Sequence, residues 1–202
     1  MSKTVTKKPA AKKSSAAKPA AAQPQAASAY FMEERHDKSE RHTLSVVVDN
    51  EPGVLARVIG LFSGRGYNIE SLTVSETETS KHLSRITIVT TGTPMVLTQI
   101  KHQLERLVPV HSVTDLTAEG RPLERELALV KVEGKGEARV EALQLARAYE
   151  ATVVDATTEH FIFQITGSTP KIEEFISIMA PLGLVETCRT GVAAIRRGPM
   201  GL

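Results

Sequence analysis

Two stretches of this chain repeat one order of elements, and that repetition limits the fold more than any single motif does. From residue 42 the pattern reads strand, helix, strand, strand, helix, strand, and from residue 126 the same order returns. In the first stretch, 42–49 alternates apolar and polar residues, and a helix over 53–65 carries Val54, Leu55, Val58, Ile59 and Phe62 on one face. Gly64 and Gly66 end that helix, because glycine enters the left-handed region beyond a C-terminus without steric cost. Strands over 67–76 and 83–91 flank a polar hairpin. Pro94 opens a second helix with Leu97, Ile100, Leu104 and Leu107, and a strand over 108–116 closes the unit. In the second stretch, strands over 126–133, 151–157, 160–166 and 182–190 and helices over 137–150 and 170–180 follow the same order, with a shorter hairpin. Each unit therefore reads as a βαββαβ split sandwich, a ferredoxin-like plait of the α+β class. Residues 117–125 read as the linker, with domains over 42–117 and 118–202.

The core of such a fold must come from Val, Ile and Leu here, since aromatics are only 4% and Trp is absent. No apolar run approaches the roughly 18 residues that span a membrane. The single Cys188 excludes an internal disulfide, fits a reducing, cytoplasmic setting, and falls in a strand alternation that predicts a buried thiol. The net charge of +2 hides an asymmetry. Residues 1–29 hold six Lys and no acidic residue, which leaves 19 basic and 23 acidic residues in 30–202, a net charge of −4. The Lys/Ala/Pro composition of the first 41 residues predicts a disordered tail, because it cannot build a core. It has no apolar stretch of the kind a signal peptide needs.

The two units differ at their first strand–helix turn. In the first, Asp49-Asn50-Glu51-Pro52-Gly53 runs straight into the helical pattern. Pro52 suits the first helical position, and Gly53 leaves the helix mouth without a side chain, so the N–H groups there make an anion site. A free amino acid fits: its carboxylate on the Gly53 and Val54 N–H groups, its ammonium near Asn50 and Asn68, a small aliphatic side chain against Leu55 and Ile69. The ordinary alternative makes Asn50 the helix cap and Asn68 a turn residue. The second unit has Glu133-Gly134-Lys135-Gly136-Glu137 at this place and no counterpart of Gly66-Tyr67-Asn68, so it is expected to lack the site.

The segment from His42 to Glu78, with Arg57-Val58-Ile59-Gly60-Leu61-Phe62 and Arg65-Gly66-Tyr67-Asn68-Ile69-Glu70-Ser71-Leu72, closely resembles the regulatory small subunits of acetolactate synthase (acetohydroxyacid synthase). The resemblance extends over about 42–197 and includes the run Glu126 to Val132. It implies that the first unit is an ACT domain that pairs side by side with a second copy and binds valine at the pair interface. The ligand positions then fall on Asn50, Gly53, Val54, Leu55, Asn68 and Ile69. It also implies a regulatory, noncatalytic chain of branched-chain amino acid biosynthesis. Such a chain activates a separate catalytic large subunit and makes it sensitive to valine. The thiamine diphosphate, FAD and magnesium of that family belong to the catalytic subunit, and none is expected on this chain.

The six His residues show no ligand spacing, and no P-loop or G-x-G-x-x-G occurs. A hydrolase on the same plait would need a phosphate-cradling loop, and the acidic pair of 49–53 repels phosphate. The competing reading is an amino-acid-responsive nucleic-acid regulator that uses the Lys tail. It predicts a helix-turn-helix or a basic folded face, and the linear sequence presents neither.

Overall fold

The structure, a computed structural model, describes residues 38–78, 80, 82–199 and 201. The expected basic tail falls outside them except for its last four residues. The first unit comprises β1 (Glu40–Asp49), α1 (Val54–Arg65), β2 (Ser71–Glu78), β3 (Leu83–Gly92), α2 (Pro94–Glu105) and β4 (Val110–Asp115). Its strands lie in the order β2-β3-β1-β4, with neighbours antiparallel. The second unit comprises β5 (Leu123–Val132), α3 (Glu137–Ala148), β6 (Thr152–Ala156), β7 (Phe161–Gly167), α4 (Thr169–Met179), β8 (Leu184–Arg189) and β9 (Ala193–Ile195). Its order is β6-β7-β5-β8, with β9 paired to β5. The two ferredoxin-like units expected from the pattern are thus present.

Alternation decides which face of each sheet is covered. Leu44, Val46 and Val48 of β1 and Ile86 and Ile88 of β3 point to one side, where they bury Val58 and Phe62 of α1 and Ile100 and Leu104 of α2. Truncating a fully buried Phe such as Phe62 to Ala costs about 3–5 kcal/mol. In the second unit, Ala128, Val130 and Val132 of β5 meet Phe163, Ile165, Ile172, Phe175 and Met179 in the same way. The internal duplication extends to detail. A register shift between Val47 and Val48 against β4 recurs between Lys131 and Val132 against β8. The N–H of Asp49 donates to the Pro109 carbonyl at 2.9 Å, and that of Glu133 to the Gly183 carbonyl at 2.8 Å.

A small third cluster joins the units. Val192 and Ala194 from the C-terminal segment pack with Val89 and Leu116 of the first unit. The Val192 N–H donates to Ser71 Oγ at 2.8 Å. Gly191 makes this approach possible: its φ is +80°, and a Cβ there would lie 2.8 Å from Ser71 Oγ.

Three expectations change. Residues 117–125 are not all linker, because Leu123, Glu124 and Arg125 pair with β9, a strand that no pattern announced. β2 begins at Ser71 rather than at 67. Tyr67 still closes the end of α1 through its N–H to Phe62 O at 3.0 Å, and the Asn68 carbonyl is held by Thr90 Oγ1 at 2.6 Å. Cys188 is exposed, not buried. Cys188 pairs with the exposed Leu129, on the sheet face opposite to that of the buried Ala128 and Val130, and β8 is the edge of its sheet, so alternation there marks a strand without marking a core.

Candidate functional site

β1 ends at Asp49, whose carboxylate meets His111 Nε2 at 2.6 Å. The Asn50 N–H donates to the His82 carbonyl at 2.7 Å, and the chain then leaves the sheet and turns into α1. Gly53 caps the helix at φ 87° and ψ −8°, a left-handed conformation that glycine adopts without strain. Pro52 therefore stands in the turn before the cap rather than at the first helical position, and Asn50 is not the cap. No side chain caps α1, and its first turn contains no acidic residue.

The backbone bonding defines what the mouth offers. Arg57 N–H to Gly53 O, at 3.1 Å, is the first bond of the helix ladder, and Val54 N–H reaches Glu51 O only at 3.4 Å. The N–H groups of Leu55 and Ala56 precede that ladder and belong to the orphan donors of the first turn. A Cβ placed on Gly53 would meet nothing within 4 Å, so the mouth is open. Val54 itself is buried in the core, whereas Leu55 is 37% exposed and lies beside the opening. An unfilled positive helix end with an apolar side chain at its rim is able to hold a carboxylate that carries a short aliphatic group.

The other two predicted residues lie elsewhere in the same unit. Asp49 pairs with Leu83 at one end of β3, while Ser71 pairs with Val89 at the other. Six strand positions separate these levels, about 20 Å at ~3.3 Å per residue. Asn68, tied to Thr90, and Ile69 sit at the C-terminal end of α1, and Asn50, Gly53, Val54 and Leu55 at its N-terminal end. The two asparagines do not converge on one mouth within a chain. β1 and β2 run parallel, so a helix that returns between them carries its two flanking residues to opposite ends.

Acid–base chemistry leaves little trace. The Arg189 guanidinium is raised above its usual pKa by its hydrogen bonds to Glu126, both at 2.7 Å. The Tyr149 hydroxyl is raised as well, by burial and then by Glu174. Both shifts move away from neutrality. Arg189 and Glu126 line a cleft of about 600 Å³ far from the α1 mouth, together with Glu70 and Glu173.

The comparisons with known proteins fit this architecture. The family described as the AHAS small subunit-like ACT domain matches residues 44–112, and the family described as the small subunit of acetolactate synthase matches residues 125–198. The probable acetolactate synthase small subunit of Archaeoglobus fulgidus is 44% identical over 158 residues, 78% of this chain and 98% of the relative. The acetolactate synthase isozyme 3 small subunit of Escherichia coli is 43% identical over 159 residues, 78% of this chain and 96% of the relative. The crystal structure of the acetolactate synthase small subunit from Thermotoga maritima superposes with a TM-score of 0.72 at 37% identity, covering 80% of this chain and 99% of that one. An ACT domain followed by a second plait of the same topology makes this a tandem regulatory module. The chain belongs to the family of acetolactate synthase small subunits.

Proposed function

We propose that this chain activates the catalytic large subunit of acetolactate synthase and makes it subject to inhibition by valine, which binds between two copies of the chain. The observation that carries this reading is the uncapped mouth at Gly53, set at the opposite end of the 12-residue α1 from Asn68, about 18 Å at ~1.5 Å per residue. A ligand that uses both must lie across a twofold pair. Gly53, Val54 and Leu55 of one protomer then hold the carboxylate and the side chain, with Asn50 beside them. Asn68 and Ile69 of its partner close the other side. The valine ammonium takes amide oxygens of the asparagines, and an isopropyl group rests on Leu55 and Ile69.

Features of the first unit favour such pairing. β2 is an open edge with Val74 44% exposed, and an unpaired edge strand is a template for association. Leu55 and Ile59 stand exposed on α1, one turn apart. The chain acts in the cytoplasm, and thiamine diphosphate, FAD and magnesium reside on the catalytic subunit. The chain alone is expected to turn over no pyruvate, and its addition to the large subunit is expected to raise the rate of acetolactate formation.

Mixed pairs provide the test. A Gly53→Asp chain has a blocked mouth, and an Asn68→Ala chain lacks the opposite wall. Homodimers of either lose both sites, but a pair containing one of each retains one intact site. Calorimetry on doubly tagged mixed pairs is expected to show valine binding with parental affinity at half the parental stoichiometry. Mixed pairs as defective as both homodimers would refute the shared site.

A further inference from the structure

The folded body is acidic, yet its tertiary structure gathers arginines from three separate segments around one cleft. β9 lies against the start of β5 through Leu123↔Ile195, Glu124↔Ala194 and Arg125↔Ala193. This pairing carries the segment Arg196-Arg197 back beside Arg121 and Arg125. Arg41 of β1 joins them, and the resulting cleft has a volume of about 550 Å³. Glu124 is the one carboxylate among its lining residues, and that group is already engaged by Arg41 at 3.2 Å and by the Thr43 hydroxyl. Arg196 pairs with Glu119 at 2.8 Å.

Arg121, Arg125 and Arg197 have no carboxylate partner among the described residues. Two of them are instead oriented by backbone carbonyls, Arg125 by Glu124 O at 2.8 Å and Arg197 through its Nε by Arg121 O at 3.0 Å. A guanidinium has five N–H donors in a planar fork, so one such bond aims the group and leaves most of its donors free. Ser168, the N-cap of α4, lines the same cleft, and its side chain makes no capping bond. The positive end of an 11-residue helix therefore adds to the same field. Arg41 is compensated by Glu124 at 3.2 Å and Glu70 at 3.4 Å, which leaves Arg121, Arg125 and Arg197 as the guanidinium groups around the cleft without a carboxylate partner among the described residues.

We propose that this cleft binds a small molecule carrying two or more linked phosphate groups. A single phosphate satisfies one or two guanidinium forks. Donors arriving from the linker and the C-terminal segment, with the Ser168 side chain beside them, call for an anion with several separated oxygens, and the volume exceeds that of one phosphate. The site is independent of the Gly53 mouth, so neither proposal stands or falls with the other.

The test uses the full chain and inorganic triphosphate as the probe, with binding measured by calorimetry at physiological salt. Saturable binding of one triphosphate per chain is expected. Arg125→Gln combined with Arg197→Gln is expected to weaken it at least about tenfold, since each removes a charge-assisted contact, and Arg121→Gln alone to weaken it less. Both sets replace exposed side chains, and circular dichroism checks that the fold persists. Changing the six Lys residues of 1–29 to Gln is expected to leave most of the affinity. The proposal is overturned if triphosphate fails to saturate, if the arginine variants bind like the parent, or if the Lys variant alone abolishes binding. Short duplex DNA that outcompetes triphosphate at equal phosphate concentration would overturn it in favour of a nucleic-acid surface.

Discussion

The two units enter their first helices by different means. α1 begins at Gly53 with no acidic residue in its first turn, and a Cβ on that cap would meet nothing within 4 Å. α3 also begins at a glycine, Gly136, but Glu137 stands in its first turn, so the chain places its own negative charge beside the positive end. The cap itself is as open as Gly53, since a Cβ on Gly136 would also meet nothing within 4 Å. The difference lies two residues earlier, where a Cβ on Gly134 would meet the Arg139 backbone at 2.9 Å, so the turn before the cap packs against its own helix. Lys135 pairs with Glu133 at 3.6 Å across that turn. The same fold, duplicated within one chain, thus holds a helix mouth without a first-turn acid in one copy and a mouth with its own first-turn carboxylate and a packed approach in the other. A helix N-terminus becomes a ligand site only where the chain withholds its own anion and leaves room.

The sharpest way to break this comparison is to put a carboxylate at the open mouth. Gly53→Asp imitates the second unit, and valine affinity is expected to fall by more than about 100-fold, since an anion now repels the ligand's carboxylate and one orphan N–H finds an internal acceptor. Calorimetry reads the loss, and activation of the catalytic subunit without valine should persist, because the added side chain meets no neighbour and the cost of a left-handed Asp, about 1–2 kcal/mol, stays in the turn. Parental valine affinity in this variant would mean that the mouth is not the site.

A second test addresses how each unit supports the strand that enters its turn. The first uses the Pro109 carbonyl and the second the Gly183 carbonyl. Gly183 has φ +97°, and a Cβ added there would lie 2.5 Å from the Glu133 carbonyl oxygen. Gly183→Ala is expected to destabilise the protein by about 1–3 kcal/mol through backbone strain, a thermal midpoint lowered by several degrees. Valine affinity at the first unit should stay near parental. A midpoint unchanged within a degree would refute the strain argument.

Removing the internal anion of the closed mouth should matter less. Glu137→Gln is expected to cost about 0.3–1 kcal/mol, the usual worth of a charge at a helix end. It should create no valine binding, because the turn before the cap is still packed against α3 at Gly134 and the second unit has no equivalent of Asn68. A second equivalent of valine bound by Glu137→Gln would show that the carboxylate alone separates the units. Smallest of all is the effect of deleting residues 1–29, for which unchanged activation and valine response are expected in the catalytic assay.

Much of the fold is legible in the sequence because its causes are local. Periods of two and 3.6 residues mark the strands and helices, and Gly66 ends α1 in the left-handed conformation that its type and place suggest, with φ 70°. The open mouth is legible for the same reason: Gly53 and the missing first-turn acid are features of adjacent residues. Cys188 departs from its expected burial because alternation reports two faces of a strand but not whether another layer covers them. At the edge position of β8 none does.

What the sequence determined by itself is therefore the element order, the internal duplication and the chemical character of each turn, all set by backbone preferences and neighbouring side chains. Only the tertiary structure decided what those elements bring together. The parallel run of β1 and β2 drives Asn50 and Asn68 to opposite ends of α1, and the pairing of β9 with β5 assembles Arg121, Arg125 and Arg197 around one cleft. Both results depend on sheet order and register, which arise from contacts between residues far apart in the chain. No spacing along the sequence encodes the distance between two strand ends.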